Sequence, residues 1–355
     1  MKDYKIVAIN LGSTSTKIAY YHNDKCEWKE NIAHAANDLK NFPTIWDQHD
    51  YRKTAIVDFL TNKGLKISNL DAIVSRGGHT RPIVGGLYRI NETMLAESGS
   101  EKYGNHVSDL GLKLAYSFTS QGLQAFTVDP PTTDEFEPLA RYSGLPELPR
   151  KSSFHILNHR AVGKQYAKDI GKNYNDLNLV VAHMGGGISV AVHKKGKLID
   201  GNNALDGDGP FSTNRCCTVP VGGLVKMCYS GEYTYDQMRK KLNGNGGMMA
   251  YLGENDVKAV SELAKAGHEK CREVLDAMYY QTAKEIAACS SVLFGIVDAI
   301  LLTGGIVNGA EVVAAIRERV EFIAPVVVYA GELEMQSLGL TTYAGLIGKE
   351  EIKEM

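Results

Sequence analysis

Long apolar runs are scarce in this chain of 355 residues. The most apolar stretch, Ile286 to Gly305, approaches the length of a membrane span. Asp298 interrupts it and Gly304-Gly305 ends it, so it reads as a buried helix end followed by a buried strand, with no membrane association. Cysteine is also sparse. The six residues Cys26, Cys216, Cys217, Cys228, Cys271 and Cys289 form no C-x-x-C pair and no zinc spacing, which speaks against a disulfide scaffold and for reduced thiols in a cytoplasmic protein. No charge sign is in excess: the formal net charge is −2, and no long basic run offers a nucleic-acid footprint. Met1-Lys2-Asp3-Tyr4-Lys5 runs straight into a short apolar strand, and no signal peptide is read there. Low-complexity segments and solenoid repeats are missing. What remains is an ordinary soluble composition, 44% apolar and 23% charged, in a chain long enough for two cored domains.

Two turns rich in glycine and hydroxyl residues stand out. The first lies in Ile6-Val7-Ala8-Ile9-Asn10-Leu11-Gly12-Ser13-Thr14-Ser15-Thr16-Lys17-Ile18-Ala19-Tyr20, the second in Leu179-Val180-Val181-Ala182-His183-Met184-Gly185-Gly186-Gly187-Ile188-Ser189-Val190-Ala191-Val192. Each joins an apolar run to an alternating β-like run, and each of those ends in a polar hairpin, at His22-Asn23-Asp24-Lys25 and Lys194-Lys195-Gly196-Lys197. Glycine admits close backbone approach, and the N–H groups of such turns cradle phosphate. A Walker A loop is excluded: the second glycine before Lys17 is missing, and a strand follows where a helix belongs. The Rossmann fingerprint fails for the same reason. Taken singly, each turn is equally an ordinary hairpin; as a pair they suggest a duplicated fold holding one polyphosphate.

Strands and helices alternate elsewhere. A strand at Leu70 to Val74 delivers Arg76-Gly77-Gly78-His79, a helix is expected over Val107 to Ser120, and a strand over Leu123 to Val128 delivers Asp129 before Pro130-Pro131 stops it. The proline- and charge-rich stretch Thr132 to Arg150 is the candidate boundary. A helix then spans Asn158 to Asp169, two helices fill Asp256 to Cys289, and the strand Val297 to Leu302 turns at Thr303-Gly304-Gly305 into a further helix. Such alternation with duplication predicts an α/β protein of two similar domains, 1–152 and 153–336, with 337–355 completing the first. Ligands of such sheets sit beyond strand carboxyl ends, where Arg76, Asp129, His183 and Gly304-Gly305 all fall, facing one cleft.

These residues suit phosphoryl transfer, which needs positive groups around a planar phosphoryl, a metal site and exclusion of water. The guanidinium forks of Arg76 and Arg215 match phosphoryl or carboxylate oxygens, though loop arginines are commonly just solvated. His106, His155, His159 and His183 lie near Gly, Asn or Phe; His155 and His159 sit four apart at a helix start. No third ligand accompanies them, which disfavours a metal. Asp129 and Glu332 each follow a strand, and magnesium needs few carboxylates beside water and phosphate. Lys17 is either a phosphate ligand or the first polar residue of a strand.

At this level of detail the chain resembles, essentially end to end, the acetate/butyrate kinases of the actin, sugar-kinase and heat-shock-70 ATPase superfamily, the butyrate kinase branch above all. The specific pieces are Asn10 to Lys17, Ser75-Arg76-Gly77-Gly78, Asn105 to Gly111, Val128-Asp129-Pro130-Pro131, Phe154-His155 with His159, Ala182 to Gly187, Leu205 to Ser212 and Leu302-Thr303-Gly304-Gly305. The resemblance implies two duplicated ribonuclease-H-like domains of the actin-like ATPase fold flanking a nucleotide cleft. It implies a first phosphate site at Asn10, Gly12, Ser13, Ser15 and Lys17, a second at His183, Gly185, Gly186 and Gly187, and adenosine at Gly304-Gly305. Arg76 and Arg215 would bracket the transferring phosphoryl, with His155 opposite. Asp129 would act there too and, with Glu332, would serve Mg2+, Glu334 being close by. His106, Phe154 and Pro210 would line the acyl site. The family pattern continues Ser-Gly after this arginine, whereas Arg215 is followed by Cys216-Cys217.

The implied reaction is ATP plus butyrate, isobutyrate or a branched acid giving ADP and an acyl phosphate, in a homodimer or higher homo-oligomer. A fatty carboxylate is already ionised, its pKa near about 4 to 5, so no general base is needed. The barrier is anion–polyanion repulsion and orientation, which arginine, histidine and magnesium address. Three alternatives remain: an acetate or propionate kinase; a sugar or polyol kinase, which needs a catalytic base such as Asp129; and a non-enzymatic nucleotide-binding regulator.

Overall fold

Buried β-rich segments lay down the sheets. In the computed structural model, which describes residues 2–355, β1 (Lys5–Leu11) and β2 (Ser15–His22) form an antiparallel hairpin continued by β3 (Lys25–Ala33). β1 is buried on both faces, as a central strand should be, while β3 is mostly exposed and carries Lys25, Glu27, Lys29 and Glu30, charges that guard a sheet edge. β4 (Ala72–Ser75) and β6 (Gln124–Val128) add in parallel beside β1. β5 (Leu87–Arg89) and β12 (Ile352–Lys353) extend the far side, giving the order β12-β5-β6-β4-β1-β2-β3.

The second sheet repeats this plan. β7 (Asn178–Met184), β8 (Ile188–Lys194) and β9 (Lys197–Gly201) are the antiparallel part; β10 (Ala299–Gly304) and β11 (Val326–Ala330) add in parallel beside β7. The order β11-β10-β7-β8-β9 matches β6-β4-β1-β2-β3 strand for strand. Parallel neighbours need crossovers, supplied by the helices His49–Asn62 and Val107–Tyr116 in the first sheet and by Glu269–Val292 and Ala310–Val320 in the second. The expected helix to Ser120 stops at Tyr116, with a 3-10 turn at Thr119–Gln121. The β8–β9 turn has positive φ at Lys195 (50°) and Gly196 (83°), which the twist of a two-residue hairpin demands. No helix of the described residues is long and apolar enough to cross a membrane.

Each sheet has its own core and anchors its own compact unit: residues up to Asp134 with Leu333–Met355, and Glu135–Glu332. The division falls earlier than the sequence boundary at 152 because the intervening segment is tied to the second sheet. Glu135 pairs with Arg160 and accepts Leu198 N–H (2.8 Å); Glu137 N–H bonds Ile199 O (2.9 Å). Arg150 reaches Asp200 (2.9 Å) and Gly201 O (3.0 Å). The C-terminal segment joins the first unit from Leu333. There Tyr21 Oη donates to Met335 O (3.0 Å), and a side chain at Gly339 would overlap the Tyr21 ring, so the helix Glu334–Leu346 packs closely on β2.

Candidate active site

In the first unit the turn Gly12–Ser15 is closed by Gly12 N–H to Ser15 O (2.8 Å). Behind it lies Arg52, wholly buried, from the helix His49–Asn62. Its Nη1 donates to Gly12 O (3.1 Å), Ser15 O (3.2 Å) and Thr16 Oγ1 (3.3 Å), its Nη2 to Ser13 O (3.0 Å), and its Nε to Gln48 (2.9 Å). Peptide planes that aim carbonyls at Arg52 aim N–H groups the other way, which is the arrangement a phosphate-binding turn needs. Among the described residues no carboxylate pairs with this cation, and burial lowers its pKa. Asn10 and Lys17 are cross-strand partners on the same hairpin.

Asn10 Nδ2 donates to Glu334 Oε2 (2.8 Å), and Glu334 Oε1 lies 3.9 Å from Arg76 Nη2. The acid beside Asn10 and Arg76 is therefore Glu334; Glu332 is exposed and belongs to the second unit. Arg76 leaves β4 into a glycine turn set by crowding. A side chain on Gly77 (φ 87°) would overlap Thr127, and one on Gly78 would sit 2.7 Å from Asp109 Cα. Buried Asp109 organises both histidines here, accepting from His79 N (2.7 Å) and His106 N (2.7 Å) and pairing with His79 Nδ1 (2.8 Å). His106 Nδ1 accepts Ser108 N–H (3.2 Å), so its ring presents Nε2–H; burial first, then Arg76, holds its pKa below the ordinary value. Asp129, 2% exposed with φ 43°, exchanges two bonds with Gly86 (2.8 and 3.0 Å).

In the second unit His155 immediately precedes the helix Ile156–Asp169, and its ring stacks on His183, at the end of β7, with 3.9 Å between centroids. His183 Nδ1 is 2.9 Å from Asn158 Nδ2. Arg215, drawn down in pKa by burial, donates to Ala204 O (2.8 Å). A side chain at Gly187 would overlap the Arg215 guanidinium and meet His155 Cε1 at 3.4 Å, so three expected residues converge there. Gly186 O accepts Ser212 Oγ (2.7 Å), and nothing lies within 4 Å of a Gly186 side-chain position. Phe154 stacks on Phe136 (6.2 Å) and meets His159 edge-on (5.1 Å); Pro210 is buried. Gly304 (φ 97°) has a packing reason to be glycine, since a side chain there would overlap Met184 O; Gly305 is open. The Arg215 loop is pinned by Cys216 N–H to Leu242 O (3.0 Å), and Cys217 holds φ 49°, a left-handed conformation that glycine takes most readily.

Sequence reasoning passed over Arg52, Asp109, Asn158 and Ser189. Arg52 had a signal: it precedes Ile56 and Leu60 at intervals of four, placing a charge on the buried stripe of its helix. No group of three or more His, Cys, Asp or Glu side chains placed to hold a metal occurs among the described residues. Asp129 and Glu334 are hard oxygen donors steadied by N–H groups, a set that fits magnesium, which takes most of its ligands from water and phosphate.

The duplicated sheet with its repeated hairpin turns defines an actin-like ATPase fold. Acetate kinase of Porphyromonas gingivalis shares it at TM-score 0.81 and 17% identity, over 96% of this chain and 99% of that one. A propionate kinase from Francisella tularensis matches at 0.74 and 19%, over 95% and 98%. Residues 145–341 match the acetokinase family. Butyrate kinase 1 and butyrate kinase 2 of Clostridium acetobutylicum are 46% and 47% identical to this chain, over 99% of both partners in each case. The chain belongs to the acetokinase family, as its motifs led one to expect.

Proposed function

We propose that this chain is a short-chain carboxylate kinase that transfers the terminal phosphoryl group of ATP to butyrate, giving ADP and butyryl phosphate by direct in-line transfer. The observation that carries the reading is its end-to-end identity, close to one half, with two proteins named butyrate kinase. The site chemistry agrees with it. A carboxylate acceptor needs no base, only charge and orientation, which the arginines and histidines of both units can supply. Arg76 and Arg215 are the proposed donors to phosphoryl oxygens, with His155 beside Arg215 at Gly187. Asn10, Gly12, Ser13, Ser15 and Lys17 are proposed for one phosphate site, His183 and Gly185 to Gly187 for another, and Gly304-Gly305 for adenosine. His106, Phe154 and Pro210 are proposed for the acyl group. Asp129 and Glu334 would hold magnesium, which when bound neutralises phosphate charge.

A homodimer or higher homo-oligomer in the cytoplasm completes the proposal. The exposed Val221, Val225 and Tyr229, on and just after the helix Val221–Cys228, support self-association, which sedimentation would check. The deciding experiment is a hydroxylamine trap for acyl phosphate across C2 to C5 acids. Two added methylenes, at about 0.8 kcal/mol each, should favour butyrate over acetate roughly tenfold in kcat/KM, with butyrate or isobutyrate leading. Acetate outperforming both overturns the butyrate assignment; activity on glycerol or hexoses alone favours a sugar kinase.

A further inference from the structure

Behind His155 lies a pair of buried groups to which the proposed reaction assigns no part. Ser189 Oγ is 2.9 Å from His155 Nδ1 and 2.8 Å from His159 Nε2, and both Ser189 and His159 are fully enclosed (0% exposed). A hydroxyl has one proton to give. Held between two imidazole nitrogens, it must take a proton from one and give its own to the other. The direction follows from the far side of His159, where Nδ1 has no hydrogen-bond partner among the described residues. A neutral ring carries one N–H. On Nδ1 it would be a buried donor left unmet; on Nε2 it reaches Ser189, and only a lone pair goes unmet, the milder cost. His159 therefore donates Nε2–H to Ser189, and Ser189 donates its O–H to His155 Nδ1. His155 is left with its own proton on Nε2.

We propose that Ser189 and His159 are positioning residues that lock His155 as the Nε2–H tautomer, so that its ring meets an anionic phosphoryl oxygen as a hydrogen-bond donor. This rests on the reading of His155 as a phosphoryl contact. The ring's orientation is set independently: it stacks on His183 with 12° between planes, and its Cε1 edge faces Gly187, where the Arg215 guanidinium also arrives. A lone pair aimed at the same oxygen would repel it, so the tautomer decides whether the histidine helps or hinders.

The test is the nitrogen-15 spectrum of histidine-labelled protein, with kinetics on the same samples. The unsubstituted chain should show His155 Nδ1 unprotonated and Nε2 protonated. Ser189→Ala should mix the tautomers and lower kcat about tenfold, with the KM for ATP little changed. His159→Gln, whose amide N–H replaces the lost donor, should keep the His155 pattern and most of kcat; His159→Leu should not. A protonated Nδ1 on His155 in the unsubstituted chain, or an unchanged pattern in Ser189→Ala, overturns the proposal. A shifted tautomer with unchanged kcat overturns the part given to His155 in phosphoryl transfer while leaving the lock in place.

Discussion

The two glycine turns sit on hairpins of the same topology and are backed by opposite chemistry. Behind Gly12–Ser15 stands a buried guanidinium that gathers three carbonyls. Behind Gly185–Gly187 stand neutral groups: Ser212 on Gly186 O, Asn158 on His183, and the Ser189–His159 pair on His155. In the first unit a cation both holds the backbone and adds positive potential behind the turn. In the second, the Ser212 hydroxyl holds the backbone, amide, hydroxyl and imidazole groups steady the two histidine rings, and the cation, Arg215, is at the turn itself, against Gly187. Duplication conserved the scaffold that exposes N–H groups and left the source of positive charge to each copy.

The sharpest break comes at the second turn. Gly186→Val places a side chain where the protein leaves open space, so the fold should stand while nucleotide binding falls below detection in calorimetry. Gly304→Ala is its converse: the methyl group overlaps Met184 O at positive φ, so thermal stability should drop. A Gly186→Val protein that binds ATP normally would make the second turn a mere hairpin.

Next in size are the two arginines. Arg76→Ala and Arg215→Ala should each lower kcat by roughly 10² to 10³, about 3 to 4 kcal/mol of transition-state stabilisation, with little change in ATP affinity. Unchanged kcat in Arg215→Ala would remove the cation from the second turn and leave Arg52 without a counterpart.

The backing groups themselves should differ in cost. Arg52→Met strands the Gly12 and Ser13 carbonyls, takes one of two bonds from Ser15 O and should destabilise by about 3 kcal/mol, whereas Ser212→Ala, one neutral bond, should cost about 1 kcal/mol. Equal costs in chemical denaturation would dissolve the contrast.

Acid should separate the units as well. Burial pushes His193 down to about 3 and His159 well below its ordinary value in the second unit; burial, then Arg52, pushes His34 down to about 4 in the first. The unfolded values lie near about 6.5, so between these limits the unfolded chain binds the extra protons. The stability these rings contribute is complete above about pH 6.5 and is lost as pH falls, to about 4 for His34 and about 3 for His193. The melting temperature should therefore drop on acidification, and His193→Gln should flatten that slope; an unaltered slope would refute the assignment.

The smallest effect concerns the departure after Arg215. Cys217 holds φ 49° with its thiol buried and pushed up to about 12 by that burial. Cys217→Gly relieves the backbone and loses packing, so stability should change by less than about 1 kcal/mol and kcat should not move.

Both turns, the strand ends bearing Arg76, Asp129 and His183, and the duplication were legible in the sequence because they are local: apolar runs mark strands, and glycine with hydroxyl residues marks the turns between them. Family membership was legible for the same reason, its motifs being short and contiguous. Tertiary structure decided what bridges long separations. Glu334 reaches Asn10 across the chain's length, Asp109 ties His79 to His106, and Arg52 reaches back to residues 12–16. The domain boundary moved for this reason too, since ion pairs and backbone bonds to the second sheet claimed the segment from Glu135 onward. Spacing and composition record which residues can form a strand or a turn. Which buried donor meets which acceptor depends on chain packing, and there each unpaired polar group carries a cost that no local pattern reveals.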